Sequence, residues 1–187
     1  MSLPQNSDQL KSASTLDSQQ TISYLIRQAI EAENYARGIY LQLSQMFAHV
    51  PEISSFWKDL AADEVEHADI LKEIQDSLSA DQLDAPAEHQ LLESIGKVIS
   101  FLNRISLETI GTLDEAYEIA HELEFSEVNY IFECVTNDFV TSSDRNRILS
   151  LQIRDHQKKL LGFAGNFGDQ AWRRQILVKS DTSESSG

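Results

Sequence analysis

Apolar residues in this chain recur at alternating steps of four and three along four long stretches. That rhythm lays side chains on one face of a 3.6-residue helix and suits no strand, whose faces alternate every second residue. The first stretch runs from Leu16 to Ala48 with the stripe Ile22, Ile26, Ala29, Glu33, Ala36, Tyr40, Leu43, Phe47. Pro51 stops it and can itself open the next helix. The second, Pro51 to Leu78, carries Ile53, Trp57, Leu60, Glu64, His67, Leu71, Ile74, Leu78, and an antiparallel hairpin across a very short turn is expected. A polar link, Ser79 to His89 with Pro86 inside it, leads to a shorter amphipathic face of Leu91, Ile95, Val98, Leu102 and Ile105. Thr112-Leu113-Asp114-Glu115 has the form of a capping box and opens the third long helix, with the stripe Leu113, Tyr117, Ala120, Glu124, Glu127, Ile131, Cys134. Ser142-Ser143-Asp144 opens the fourth, with Leu149, Ile153, His156, Leu160, Phe163, Phe167, fraying around Gly162, Gly165 and Gly168. The expected fold is all-α: a four-helix bundle with a long crossover, carrying a short extra helix, between helices two and three. One domain is expected over residues 16–178, between disordered ends at 1–15 and 179–187.

Composition agrees. With 187 residues, 41% of them hydrophobic, the chain can build a sizeable core, and 7 Gly and 3 Pro leave few turns for a many-stranded fold. The net charge of −15 has the wrong sign for gripping phosphate backbones or anionic lipid, so neither nucleic acid nor a membrane is an expected partner. A single cysteine, Cys134, excludes an internal disulfide and any four-thiolate metal site. With no signal-like or membrane-spanning apolar run, a cytoplasmic protein is expected.

The informative positions are those that break the apolar stripes, because a seam facing a bundle centre tolerates ionisable groups only when they are paired or bind metal. Helix one is broken by Glu33, helix two by Glu64 and His67, helix three by Glu124 and Glu127, helix four by His156. All fall near mid-helix, so antiparallel packing would bring them to one layer. Carboxylates gathered there would protonate or bind cations, and two divalent ions would cancel four of them with both histidines neutral. Glu64 and His67, three residues apart, share one helix face. Oxygen-rich ligation with imidazole and no thiolate suits iron, or manganese, better than structural zinc.

The segments Glu33-Asn-Tyr-Ala-Arg-Gly-Ile-Tyr40 and Ala62-Asp-Glu-Val-Glu-His-Ala68 resemble the first two helices of rubrerythrin-like proteins, within the ferritin-like carboxylate-bridged group. That group takes a Glu from each of two helices and Glu-x-x-His from each of the other two. The resemblance covers roughly Leu16 to Phe167. It implies a ferritin-like bundle with a diiron centre in which Glu33 and Glu124 are terminal ligands, Glu64 a bridging carboxylate and His67 a nitrogen ligand. Helix four departs from the pattern: Ile153-Arg154-Asp155-His156 has isoleucine where the bridging Glu belongs. Glu127 on the third helix is the candidate to restore the fourth carboxylate, and if it turns away one metal or none is expected. The implied function is peroxide or dioxygen reduction, or iron oxidation and handling, by a peroxidase- or ferroxidase-type oxidoreductase. Full-length rubrerythrins add a thiolate-bound iron domain that one cysteine cannot build, so an external electron donor is required. A homodimer is expected from resemblance. The rival reading is a degenerate ferritin-like bundle that serves as a structural or interaction module, with Ile153 the first sign of decay.

Tyr40 and Tyr117, two turns from Glu33 and Glu124, are core aromatics with a polar tip and candidates to contact the ligands from behind. Tyr35, His49, His89 and His121 fall off the stripes and are expected at the surface. Glu66 and Asp155 are expected to face solvent, and Trp57 and Trp172 are assigned to packing.

Overall fold

A computed structural model describes residues 20–125, 127–139, 158–163 and 165–178, with the backbone alone at 127–130. Helix α1 spans Ile22–Met46 and α2 spans Pro51–Ser77, separated by a turn of four residues. The hairpin is antiparallel: as α1 residues rise from Glu33 through Tyr40 to Ser44, their α2 neighbours fall from Glu64 through Trp57 to Ser54. α2 begins with Pro51 in its first turn, as the fixed φ of proline allows.

α1 begins later than its sequence pattern predicts. Thr21 caps it, its hydroxyl accepting the Tyr24 N–H at 3.2 Å, and the backbone just before the helix pairs instead with the link, Ala87 N–H donating to the Gln20 carbonyl. The rest of the expected start, residues 16–19, lies outside the described residues. The link itself forms a one-turn helix, α3 (Ala80–Leu83), capped reciprocally by Ser79 and Gln82. α4 (His89–Leu102) is the expected extra helix; it buries Leu91, Ile95, Val98 and Leu102 and packs on α1. A 3-10 turn at Leu107–Thr109 follows.

The capping box at Thr112 forms: Thr112 and Glu115 exchange bonds at 3.3 and 3.0 Å and start α5, Leu113–Glu124. The expected single third helix does not. It stops at Phe125, whose N–H turns back to the His121 and Leu123 carbonyls, and a new helix α6 runs Glu127–Phe139. Phe125 leaves helical geometry at φ −99° and ψ 10°. The break shifts the buried stripe, so Ile131, Phe132 and Val135 fill the core and Cys134 is only half-buried.

The start of the fourth long helix at Ser142, with Leu149, Ile153 and His156, lies outside the described residues. Residues 158–163 are helical, and Leu160 and Phe163 are buried as their stripe predicts. Lys159 pairs with Asp63 at 2.6 Å and Phe163 packs on Trp57, so this segment runs antiparallel to α2. The chain turns at Gly168, the one described glycine with positive φ (76°), and a Cβ there would meet Trp172 at 3.1 Å. A short helix, α7 (Gln170–Arg173), follows. Trp172, assigned to packing, lies against Gly168 with 41% of its surface exposed.

The all-α expectation holds: the described residues contain no strand, only the isolated bridges Thr21 to Pro86 and Thr112 to Leu177. No helix among them is long and apolar enough to cross a membrane. One apolar cluster joins α1, α2, α4, α5, α6 and residues 160–163.

Candidate metal centre

Three ionisable side chains meet inside this core. Glu33 from α1 and Glu64 and His67 from α2 are each 2–3% exposed, and each offers one donor atom within 4.8 Å of the others. The helical period puts Glu64 and His67 on one face, and the antiparallel register brings Glu33 opposite. His67 Nδ1 lies 3.0 Å from a Glu64 oxygen and 3.8 Å from a Glu33 oxygen. Its ring rests on Phe132 of α6, centroids 4.9 Å apart.

Glu124, in the last turn of α5, is equally buried but stands outside this close trio. It accepts a short hydrogen bond from the Tyr40 hydroxyl, and its charge reaches Glu64. Tyr40 is fully buried and stacks on Trp57 at 6.1 Å with 10° between the planes. The Trp57 indole N–H is buried with no hydrogen-bond partner among the described residues, an arrangement that costs roughly 1–3 kcal/mol and that the surrounding aromatic packing must offset.

Electrostatics at the site are those of charges held out of water. Burial pushes the Glu64 carboxyl well above its ordinary range, and the neighbouring charge of Glu33 pushes it further, against the lowering effect of the His67 hydrogen bond. Burial pulls His67 down, but hydrogen bonds to Glu33 and Glu64 and their charges outweigh it and raise the imidazole to about 10. Tyr40 is held well above 10 by burial first and then by the charges of Glu124 and Glu64. In the metal-free protein, therefore, a proton on His67 supplies part of the cation that the carboxylates require. A divalent ion bound to the same donors would displace that proton.

Of the site residues expected from sequence, the structure brings together Glu33, Glu64 and His67 and sets Glu124 beside them behind Tyr40. Glu127 opens α6, one residue after the helix break, and only its backbone is described. His156 and Ile153 lie outside the described residues. Tyr117 is not at the centre: its ring stacks on Phe163 at 5.2 Å, because the first turns of α5 lie two turns from Glu124. His49, His89, His121 and Glu66 are exposed, as expected, and Tyr35 is 44% exposed. Sequence reasoning missed Phe132 as the wall behind His67; the signal was hidden because the stripe was continued through a break that no Gly or Pro marks.

The donor set is two carboxylates and an imidazole, with no thiolate among the described donors, and it fits iron or manganese. No curated protein and no solved structure gives a significant match to the chain. The family model described as Rubrerythrin matches residues 25–137, more than half of the chain, and spans Glu33, Glu64, His67, Glu124 and Glu127. The chain therefore belongs to the rubrerythrin family, whose members' ferritin-like fold and non-haem iron binding the all-α core and its buried Glu/His group match.

Proposed function

We propose that this chain is a non-haem iron protein that holds two iron ions with Glu33, Glu64, His67, Glu124, Glu127 and His156, and that it reduces peroxide or dioxygen or oxidises and stores iron. The observation that carries the reading is the convergence of Glu33, Glu64 and His67 donors within 4.8 Å inside an apolar core. Buried carboxylates of this density are costly without a cation, by several kcal/mol per ion, and a metal removes that cost. His156 is included on its place in the sequence pattern, three residues after Ile153 on the apolar stripe.

Bound iron supplies reversible one-electron redox chemistry and an open position for a small oxidant. The chain supplies the rest. Glu33 and Glu64 would offset part of the charge of the ions, and His67 would add a neutral nitrogen once its ring proton has left. Tyr40 donates to Glu124 and so fixes the carboxylate's orientation, as outer partners of metal ligands do. The surrounding core, with Phe132 over His67 and Trp57 behind Tyr40, keeps bulk water away. Electrons come from an external one-electron donor, and we place the protein in the cytoplasm as a homodimer.

The test is an anaerobic ferrous titration of metal-free protein followed by peroxide. The reading expects saturation at two ions per chain and loss of the ferrous signal on adding peroxide. Saturation at one ion would assign the missing second site to Ile153. No uptake would support the metal-free structural or interaction module instead.

A further inference from the structure

The segment after Gly168 is built onto the start of α5, and it lies beyond the residues that match the family. Asp114, 4% exposed in the first turn of α5, accepts from Arg173 Nε at 3.2 Å and from Arg174 Nε at 3.1 Å, and Arg173 Nη2 lies 3.2 Å from it. Arg173 is itself 6% exposed and donates through Nη1 to the Gly168 carbonyl at 2.9 Å. The backbone closes the same contact twice: Leu113 N–H donates to the Ile176 carbonyl and Val178 N–H to the Gly111 carbonyl, both at 2.9 Å. A buried Asp114–Arg173 ion pair, with the exposed Arg174 on the second carboxylate oxygen and backbone pairing on either side, is a built fastening rather than a chance surface contact, because Asp114 or Arg173 left alone would be a buried unpaired charge.

The fastening also leads to the centre through packed rings. The Arg173 guanidinium lies 4.6 Å from the Tyr117 ring centroid; Tyr117 stacks on Phe163 at 5.2 Å, and Phe163 meets Trp57 at 5.4 Å. Trp57 stacks on Tyr40, whose hydroxyl holds Glu124. Glu124 is thus tied to the clasp along α5 and across this column.

We propose that residues 169–178 form a clasp that holds α5, and with it Glu124 and Tyr40, in the geometry the centre uses. Arg173 and Asp114 act as positioning residues for the site, and occupation of the site and closure of the clasp stabilise each other. Reciprocity follows from linkage: whatever factor the clasp adds to metal affinity, metal adds to clasp closure. This coupling rests on the metal-binding reading above, whereas the hold on α5 does not.

The test is amide hydrogen exchange on the full chain and on Arg173→Gln and Arg174→Gln, each metal-free and with Co²⁺ as the probe ion, alongside Co²⁺ affinity and absorption. Arg173→Gln is expected to speed exchange across α5 at least tenfold while the middle of α2 changes less than threefold. It is also expected to weaken Co²⁺ binding threefold to tenfold with an altered ligand-field spectrum. Co²⁺ in the unsubstituted chain is expected to slow exchange over 170–178 by a similar factor. Arg174→Gln, whose side chain is 63% exposed, should show the same pattern more weakly and serves if the first variant does not fold. Unchanged α5 exchange in the metal-free variants would overturn the clasp. Faster α5 exchange with unaltered Co²⁺ affinity and spectrum would overturn its tie to the site. No Co²⁺ uptake by the unsubstituted chain would sink the metal-binding reading and the coupling with it, and leave the hold on α5 to the metal-free arm.

Discussion

Glu64→Gln separates what the site needs for metal from what the fold needs for stability. Glu64 lies 3.0 Å from His67 Nδ1 and shares a 4.8 Å group with Glu33, at 3% exposure. With an effective dielectric of about 20, the attraction to a protonated His67 is about 5–6 kcal/mol and the repulsion from Glu33 is at least about 3–4 kcal/mol. Desolvation adds several kcal/mol against the charge. The raised Glu64 carboxyl gives the sign of the sum: repulsion and desolvation together exceed attraction. The isosteric amide keeps the shape and an acceptor for His67 while removing the charge. Metal-free Glu64→Gln is therefore expected to be more stable than the unsubstituted chain by roughly 1–3 kcal/mol near pH 7.5, because Glu33 remains to pair with His67 while the excess of desolvation and repulsion over attraction is relieved. At about 2–4 °C per kcal/mol for a chain of this size, the melting temperature should rise by roughly 2–12 °C. The same variant should lose the metal-dependent gain, which is about 2.7 kcal/mol at a metal concentration of 100 times Kd. Urea and thermal unfolding of chelator-treated and iron-loaded samples measure both. A loss of 2 kcal/mol or more in the metal-free variant would refute the reasoning, because Glu64 would then be a net favourable structural ion.

The same electrostatics fix a pH dependence. His67 is raised to about 10 from 6.5, so its contribution is fully present below about pH 6.5 and is lost as pH rises towards 10. Glu64, raised above its unfolded value, also favours the folded state more as pH falls through its folded pKa. Urea midpoints of the metal-free protein should therefore fall between pH 6.5 and 10, while metal affinity rises over the same interval as the His67 proton is released; a midpoint that climbs with pH would contradict this. At the start of α5, Thr112→Ala removes the hydroxyl that accepts the Glu115 N–H and should cost about 1 kcal/mol, read as a lower urea midpoint at constant slope. Glu115 is held below the ordinary carboxylate range by backbone N–H groups of Gly111 first and Thr112 next, so acid should weaken this cap as its carboxyl protonates, visible as lower amide protection factors in the first turn of α5 as pH falls through the carboxylate range.

Much of this molecule was legible because its helices bury one stripe each. Glu33, Glu64, His67 and Glu124 stood out as charges on apolar seams, and all four are 2–3% exposed. The capping chemistry of Thr112-x-x-Glu115 and Pro51 placed two helix starts, since both act through the nearest backbone alone. Features set by tertiary contacts were not legible. The break at Phe125 carries no breaker residue and slips the core face of α6 to Phe132 and Val135, so the seam could not be extended past Glu124 in phase. The delayed start of α1 depends on pairing with Ala85 and Ala87, some sixty residues away in the chain, which local pattern does not encode. Arg173 and Arg174 carried no assignment from sequence, because an ion pair with Asp114 is invisible until both partners are placed.

The central claim is that Glu33, Glu64 and His67 bind iron as a unit. Its most direct test is the iron and manganese content per chain of the unsubstituted protein and of His67→Ala, both purified from iron-supplemented cells. The account predicts one to two iron ions per chain in the first and a loss of most of them in the second, with a lower melting temperature. Iron and manganese at trace level in the unsubstituted protein, or full iron content in His67→Ala, would contradict it.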